Sequence, residues 1–247
     1  MLRSLPFLLA TALFAVEPGA DVHYNEAVKA LNSRDFQTAL EELEVVLASE
    51  PDNIRYGSEY RQAAIQAGAY ERCLNFFDKL VKVHPNAPNA WLNYGFAYVD
   101  KIPAAGSITQ VILANAALRE FTRALRLKPS WIAYYTRGNS YLFWPKVFHR
   151  AHLGVADLER AVRLQRNEPE HAYHARAWVS LGDGYWKMDR LQKAKAVWRE
   201  GLEQFPDNPL LKERLEKDGT DLKGAIEAAL DPYKRVDTNL QELWANQ

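Results

Sequence analysis

A set of residues that returns in register constrains this chain more than any other feature. Phe36, Ala39, Leu43, Val46 and Pro51 are matched 34 positions later by Tyr70, Cys73, Phe77, Leu80 and Pro85. The apolar members are spaced by three and four residues, which is helical spacing. From Asp21 onward no stretch alternates with the two-residue period of a strand. A helical unit that recurs at this period cannot bury its apolar face alone, so it must stack on further copies.

Those copies can be traced along the chain. One unit opens with Trp91, Tyr94, Gly95 and Tyr98 and closes with Ala117, Phe121, Ala124 and Pro129. The next opens with Tyr134, Gly138 and Tyr141 and closes with Gly154, Leu158 and Ala161. The last carries Trp178, Leu181, Gly182 and Tyr185 on one helix, Ala194, Trp198 and Gly201 on a second, and Pro206 at its end. Antiparallel helices packed about 8–10 Å apart admit only small side chains where they approach most closely. Gly95, Gly138 and Gly182 take that slot on the first helix, and Ala39, Cys73, Ala117, Gly154 and Ala194 take it on the second. Cys73 is the chain's one cysteine, and this slot makes it a buried substitute for alanine rather than a nucleophile.

The order Trp-x2-Leu-Gly-x2-Tyr, then Ala-x3-aromatic, then Pro resembles the tetratricopeptide repeat. The resemblance implies an all-α, right-handed α-solenoid of about five helix-turn-helix units. They fall at residues 20–53, 54–87, 88–130, 131–169 and 175–208, with capping helices over 209–247. Arg61 stands where glycine or alanine belongs, so the second unit is either splayed there or spans the gap with the arginine stem. About ten extra residues around Lys101 to Gly106, and about four around Trp144 to Lys146, are expected to loop out at helix ends. The fourth unit's closing proline is displaced to Pro169. Beyond the repeats, Pro209–Lys217 reads as a covering helix, and Thr220 as the cap of a second helix running to Leu230. Thr238 with Gln241 has capping-box spacing for a short helix from Asn239 to Trp244. That helix would either staple itself to the solenoid through Trp244 or present a recognition peptide.

At the other end, Arg3, an apolar run from Leu5 to Val16 and then Pro18-Gly19 read as a secretory signal peptide over residues 1–20. The run is too short to span a bilayer, which needs about 20 residues. A periplasmic or secreted protein with no membrane span in its mature chain is therefore expected; an uncleaved first helix is the alternative. Lys plus Arg and Asp plus Glu both total 31, which argues against nucleic acid as a partner.

The chain carries no nucleophile elbow, P-loop, dinucleotide fingerprint or zinc-protease helix, so neither an enzyme nor a cofactor is expected. His149 with His152 and His171 with His174 are spaced by three, which on a helix places both rings on one face. They could meet as a metal site or serve as separate helix-end contacts. In tetratricopeptide proteins the first helices line a concave surface, and the resemblance places Leu92, Phe96, Tyr135, Asn139, Leu142, Asp183 and Trp186 on it. Such a surface suits an extended peptide or a partner helix. Proteins of this family that clamp a C-terminal carboxylate use Lys, Asn and Arg there; Tyr24, Val28, Ser58 and Gln62 depart from that pattern, and only Asn93 fits it. The expected function is an extracytoplasmic scaffold or adaptor for a protein or peptide. The alternatives are a structural subunit of an envelope assembly, with self-association through the C-terminal helix, or a metal-binding protein.

Overall fold

Each repeat begins as a local decision about where a helix stops. Arg34, Gly68 and Asp189 all adopt left-handed backbone, with φ of 61°, 64° and 62°. Each sits in the turn inside a unit, after α1 (Ala20–Asn32), α3 (Ile54–Gln66) and α9 (Ala175–Lys187). The residue after each one donates its N–H back to the last turn, Asp35 to Ala30, Ala69 to Ala64 and Arg190 to Tyr185, at 2.8–2.9 Å. This is a Schellman stop, and it satisfies carbonyls that a helix end leaves open. The second helices start at once: α2 (Phe36–Ser49), α4 (Tyr70–Val83) and α10 (Leu191–Gln204). The third and fourth units comprise α5 (Pro88–Lys101) with α6 (Ser107–Leu127) and α7 (Trp131–Leu142) with α8 (Ala151–Gln165). Side chains of Asp35, Asn53, Ser130 and Asn208 accept N–H groups at the starts of α2, α3, α7 and α11 (Pro209–Glu216).

The structure is a computed structural model describing residues 19–234 and 236–244, all-helical and without strands among them. The signal-like run from Leu5 to Val16 lies outside the described residues. Among the described residues no helix is long and apolar enough to cross a membrane.

Small residues sit at the helix crossings. A Cβ placed on Gly138 would lie 3.0 Å from the Gly154 carbonyl oxygen, and one on Gly154 would lie 2.7 Å from that of Gly138. Here α7 and α8 touch backbone to backbone, which no larger residue permits. Cys73 is buried in its slot, and desolvation pushes its thiol pKa up, away from the reactive thiolate.

The departures resolve in particular ways. Arg61 does not bridge its own helical pair; α3 and α4 are the least closely packed pair, and the guanidinium turns inward toward α5. The extra residues of the third unit form a 3-10 turn over Ile102–Ala104 and then lengthen α6 to 21 residues instead of looping out. Those of the fourth make a 3-10 turn over Lys146–Phe148, with Trp144 buried beside it. The last helix, α12 (Gly219–Ala229), starts at Gly219 rather than being capped by Thr220.

The expected helix from Asn239 to Trp244 is absent. A single 3-10 turn spans Gln241–Leu243, and 236–240 run in non-helical backbone. So short a segment cannot sustain a free helix, and the Thr238 hydroxyl that should have capped it bonds Asp100 instead.

Candidate functional site

The first helix α3 packs against α5, and α5 and α7 both face one cavity on the inner side of the solenoid. On α3, Ser58, Arg61 and Gln62 fall on the inward stripe; on α5 the corresponding residues are Phe96 and Asp100. The long α6 and the Trp144 turn raise one wall above this floor. Arg150 stacks on the Trp144 ring with its guanidinium carbon 3.7 Å from the centroid, which fixes that wall. Between floor and wall is a cavity of about 310 Å³, lined on the solenoid side by Phe96, Val99, Ile132, Tyr135, Asn139 and Trp144. Tyr135 stacks flat on Trp131, with ring centroids 5.0 Å apart, and burial raises its hydroxyl pKa. Asn139 accepts a hydrogen bond of 3.0 Å from the Ser180 hydroxyl, which orients its amide.

The cavity's other side belongs to the chain's own C-terminal segment, through Tyr233, Val236 and Leu240. That segment is held by a buried polar cluster. Arg61 is 0% exposed and Asp100 4%, and Arg61 Nη1 donates to Asp100 Oδ2 at 2.8 Å. Arg61 Nε donates to Asn93 Oδ1 at 3.0 Å, and Nη2 donates to the Thr238 carbonyl at 3.0 Å. The second Asp100 oxygen accepts the Thr238 hydroxyl. Two residues on, the Leu240 N–H reaches Ser58 Oγ at 3.4 Å. Its side chain is buried and belongs to the apolar cluster that also holds Leu92, Phe96, Phe121, Leu125 and Ala133. Arg176 Nη2 pairs with Glu242 at 2.9 Å. Trp244 then rests on the same middle core, beside Gln62 and Gln66 of α3. Of the two roles read for this tryptophan, the staple is the one the fold adopts.

The seven expected groove residues divide. Phe96, Tyr135 and Asn139 face the cavity, and Leu92 lies beneath it, 1% exposed, against Leu240. Leu142 is fully buried against α8, where neighbouring first helices close over it. Asp183 is turned to Arg214 of α11, with Nε to Oδ1 at 2.9 Å and Nη2 to Oδ2 at 3.2 Å. Trp186 is half-buried at the rim with the Lys146 ammonium 5.7 Å from its ring, outside the cavity lining. Missing from the sequence reading are Arg61 and Thr238 as binding groups, and Asp100 and Leu240 altogether. The anomaly at Arg61 and the polar Thr238 near the C-terminus were the cluster's visible traces.

The histidines do not assemble as a four-residue cluster. His149 leaves the helix with φ of 52°, and its carbonyl holds His152 Nδ1 at 2.7 Å. His171 stacks on Tyr173, while His174 is buried against Trp131. Burial lowers the His174 pKa to about 4, with the neighbouring His171 adding to the effect. Among the described residues no group of three or more His, Cys, Asp or Glu could hold a metal ion.

Stacked antiparallel pairs with small residues at most crossings define a tetratricopeptide-type solenoid, and solved structures bear this out. The chain is similar to TTC0263, a thermophilic TPR protein of Thermus thermophilus. The identity is 20% with a TM-score of 0.56, over 83% of this chain and 100% of that one. MamA from Desulfovibrio magneticus RS-1 shares 20% identity, TM-score 0.53, over 77% of this chain and 97% of that one. A tetratricopeptide repeat protein from Parabacteroides merdae ATCC 43184 matches at 14% identity, TM-score 0.53, over 85% and 75% respectively. No protein-family model and no curated protein matches the sequence.

Proposed function

We propose that this protein is a non-catalytic scaffold that receives a non-helical segment of another protein on its inner face, between the second and fourth units. One observation carries this reading: that face already holds a non-helical stretch of polypeptide, gripped by its main chain through Arg61 and Ser58. The aromatic cavity beyond it supplies side-chain selection. The Leu5–Val16 segment supports an extracytoplasmic site of action. The structural likeness to tetratricopeptide proteins agrees with a protein partner but is a likeness of fold.

The test is affinity capture from the native envelope fraction with the wild-type chain and with Tyr135→Glu or Asn139→Arg. Proteins that need the inner face should fall at least tenfold with either variant while the melting curves stay superimposable. Partners retained within twofold by both variants would refute the assignment.

A further inference from the structure

We infer that residues 236–244 are a built-in occupant of the partner site, so that the protein is blocked by its own tail. The partner that displaces it would carry a hydroxyl residue followed two positions later by an aliphatic one. This deepens the scaffold reading above and rests on it.

The buried charges make the case first. Arg61 and Asp100 are out of contact with water, and buried ionic groups are tolerated only when their remaining donors and acceptors are met. The tail meets them on both sides: the Thr238 carbonyl accepts from Arg61 Nη2, and the Thr238 hydroxyl donates a hydrogen bond to Asp100. Any replacement must offer the same carbonyl and hydroxyl in the same relation. Two residues on, the pocket that swallows Leu240 asks for an aliphatic side chain. Thr238-x-Leu240 is therefore the recognised pattern.

The segment is also built to leave. Residues 231–234, between α12 and this segment, hold only turns, with Tyr233 70% exposed, and Val236 is 36% exposed. Thr238 and Leu240 alone are buried in 236–240. Segments with few buried contacts open at a free-energy cost well below that of global unfolding. A short tether holds its end at an effective concentration on the order of millimolar, so a partner in solution meets a site masked by roughly tenfold or more.

The experiment uses the full chain and a fluorescein-labelled synthetic peptide of residues 236–244, followed by fluorescence anisotropy. Leu240→Glu in the protein puts a carboxylate into the Phe96 pocket and expels the tail. The peptide should bind this variant at least tenfold more tightly than wild type, and a peptide with Thr238→Ala should lose most of that binding. If Leu240→Glu fails to melt cooperatively, Leu240→Ser serves in its place. Equal binding to wild type and variant, or no binding to either, overturns the inference. Should the peptide fail while partner capture still depends on Tyr135, the self-block falls and the scaffold reading stands. Should the peptide bind as expected while capture ignores Tyr135, the tail site stands and the scaffold assignment fails.

Discussion

Two buried arginine–aspartate pairs do opposite jobs in this solenoid. At the C-terminal end, Arg214 grips both oxygens of Asp183, and the pair pins the covering helix α11 onto α9. Every strong valence of that carboxylate is spent inside neighbouring elements. In the middle, Arg61 takes one oxygen of Asp100 and leaves the other, with part of the guanidinium, for a segment 138 to 177 residues away in sequence. A closed pair is a clasp. An open pair is a receptor, because its remaining valences must be filled by something that arrives.

The sharpest way to break this comparison is to remove each aspartate. Asp183→Ala strands a buried guanidinium, and the expected loss is about 3–5 kcal/mol of unfolding free energy in a denaturant melt. A loss below about 1 kcal/mol would show that α11 is not clasped in this way.

Next in size is Gly138→Ala. Its methyl would meet the Gly154 carbonyl at 3.0 Å, and overpacking of this kind costs about 1–3 kcal/mol. Thermal melting monitored by circular dichroism is the check, and an unchanged midpoint would mean that the crossing is not closed by glycine.

The clasped end also has a pH signature. Burial holds His174 at a pKa of about 4, below its ordinary value near 6.5, so between those limits the unfolded chain binds more protons than the folded one. Stability from this group is complete above about pH 6.5 and is lost as pH falls toward 4. Asp183, raised to about 6 by burial against the pull of Arg214, works in the opposite sense over the same window. Its folded form binds the extra proton, so its contribution falls as pH rises through 6. The stability difference between wild type and His174→Gln should therefore grow by about 1–2 kcal/mol from pH 4 to 6.5. A flat difference would place the histidine in water.

The smallest expected effect on the clasped end belongs to Asp100→Ala, which removes the acceptor of both Arg61 Nη1 and the Thr238 hydroxyl. Its signature lies elsewhere: amide hydrogen exchange in 236–244 should quicken at least tenfold while α9 and α11 keep their protection. Equal loss of protection in α9 and α11 would erase the distinction between clasp and receptor.

Three of the seven expected groove residues reach the cavity because the position rule for first helices is a rule about helix faces, and Phe96, Tyr135 and Asn139 obey it. Leu142 and Asp183 obey it too, yet neighbouring elements cover them. A face periodicity cannot say which neighbour will lie over it. Thr238 misled for a related reason. Its spacing to Gln241 is a sound local signal for a helix cap, but a buried carboxylate offered its hydroxyl a stronger bond than the backbone N–H of so short a helix could.

What the amino-acid order alone determined is the repeating pair of helices and the small residues at their crossings. These depend on contacts between neighbours in sequence, and a period of 34 writes them visibly into the chain. The second life of Arg61 comes from packing between distant elements: it reads as a flaw in the repeat until Asp100, Asn93 and Thr238 gather around it. Their meeting depends on how far each unit rotates on the next and where a tether of irregular backbone comes to rest, and neither has a period to read.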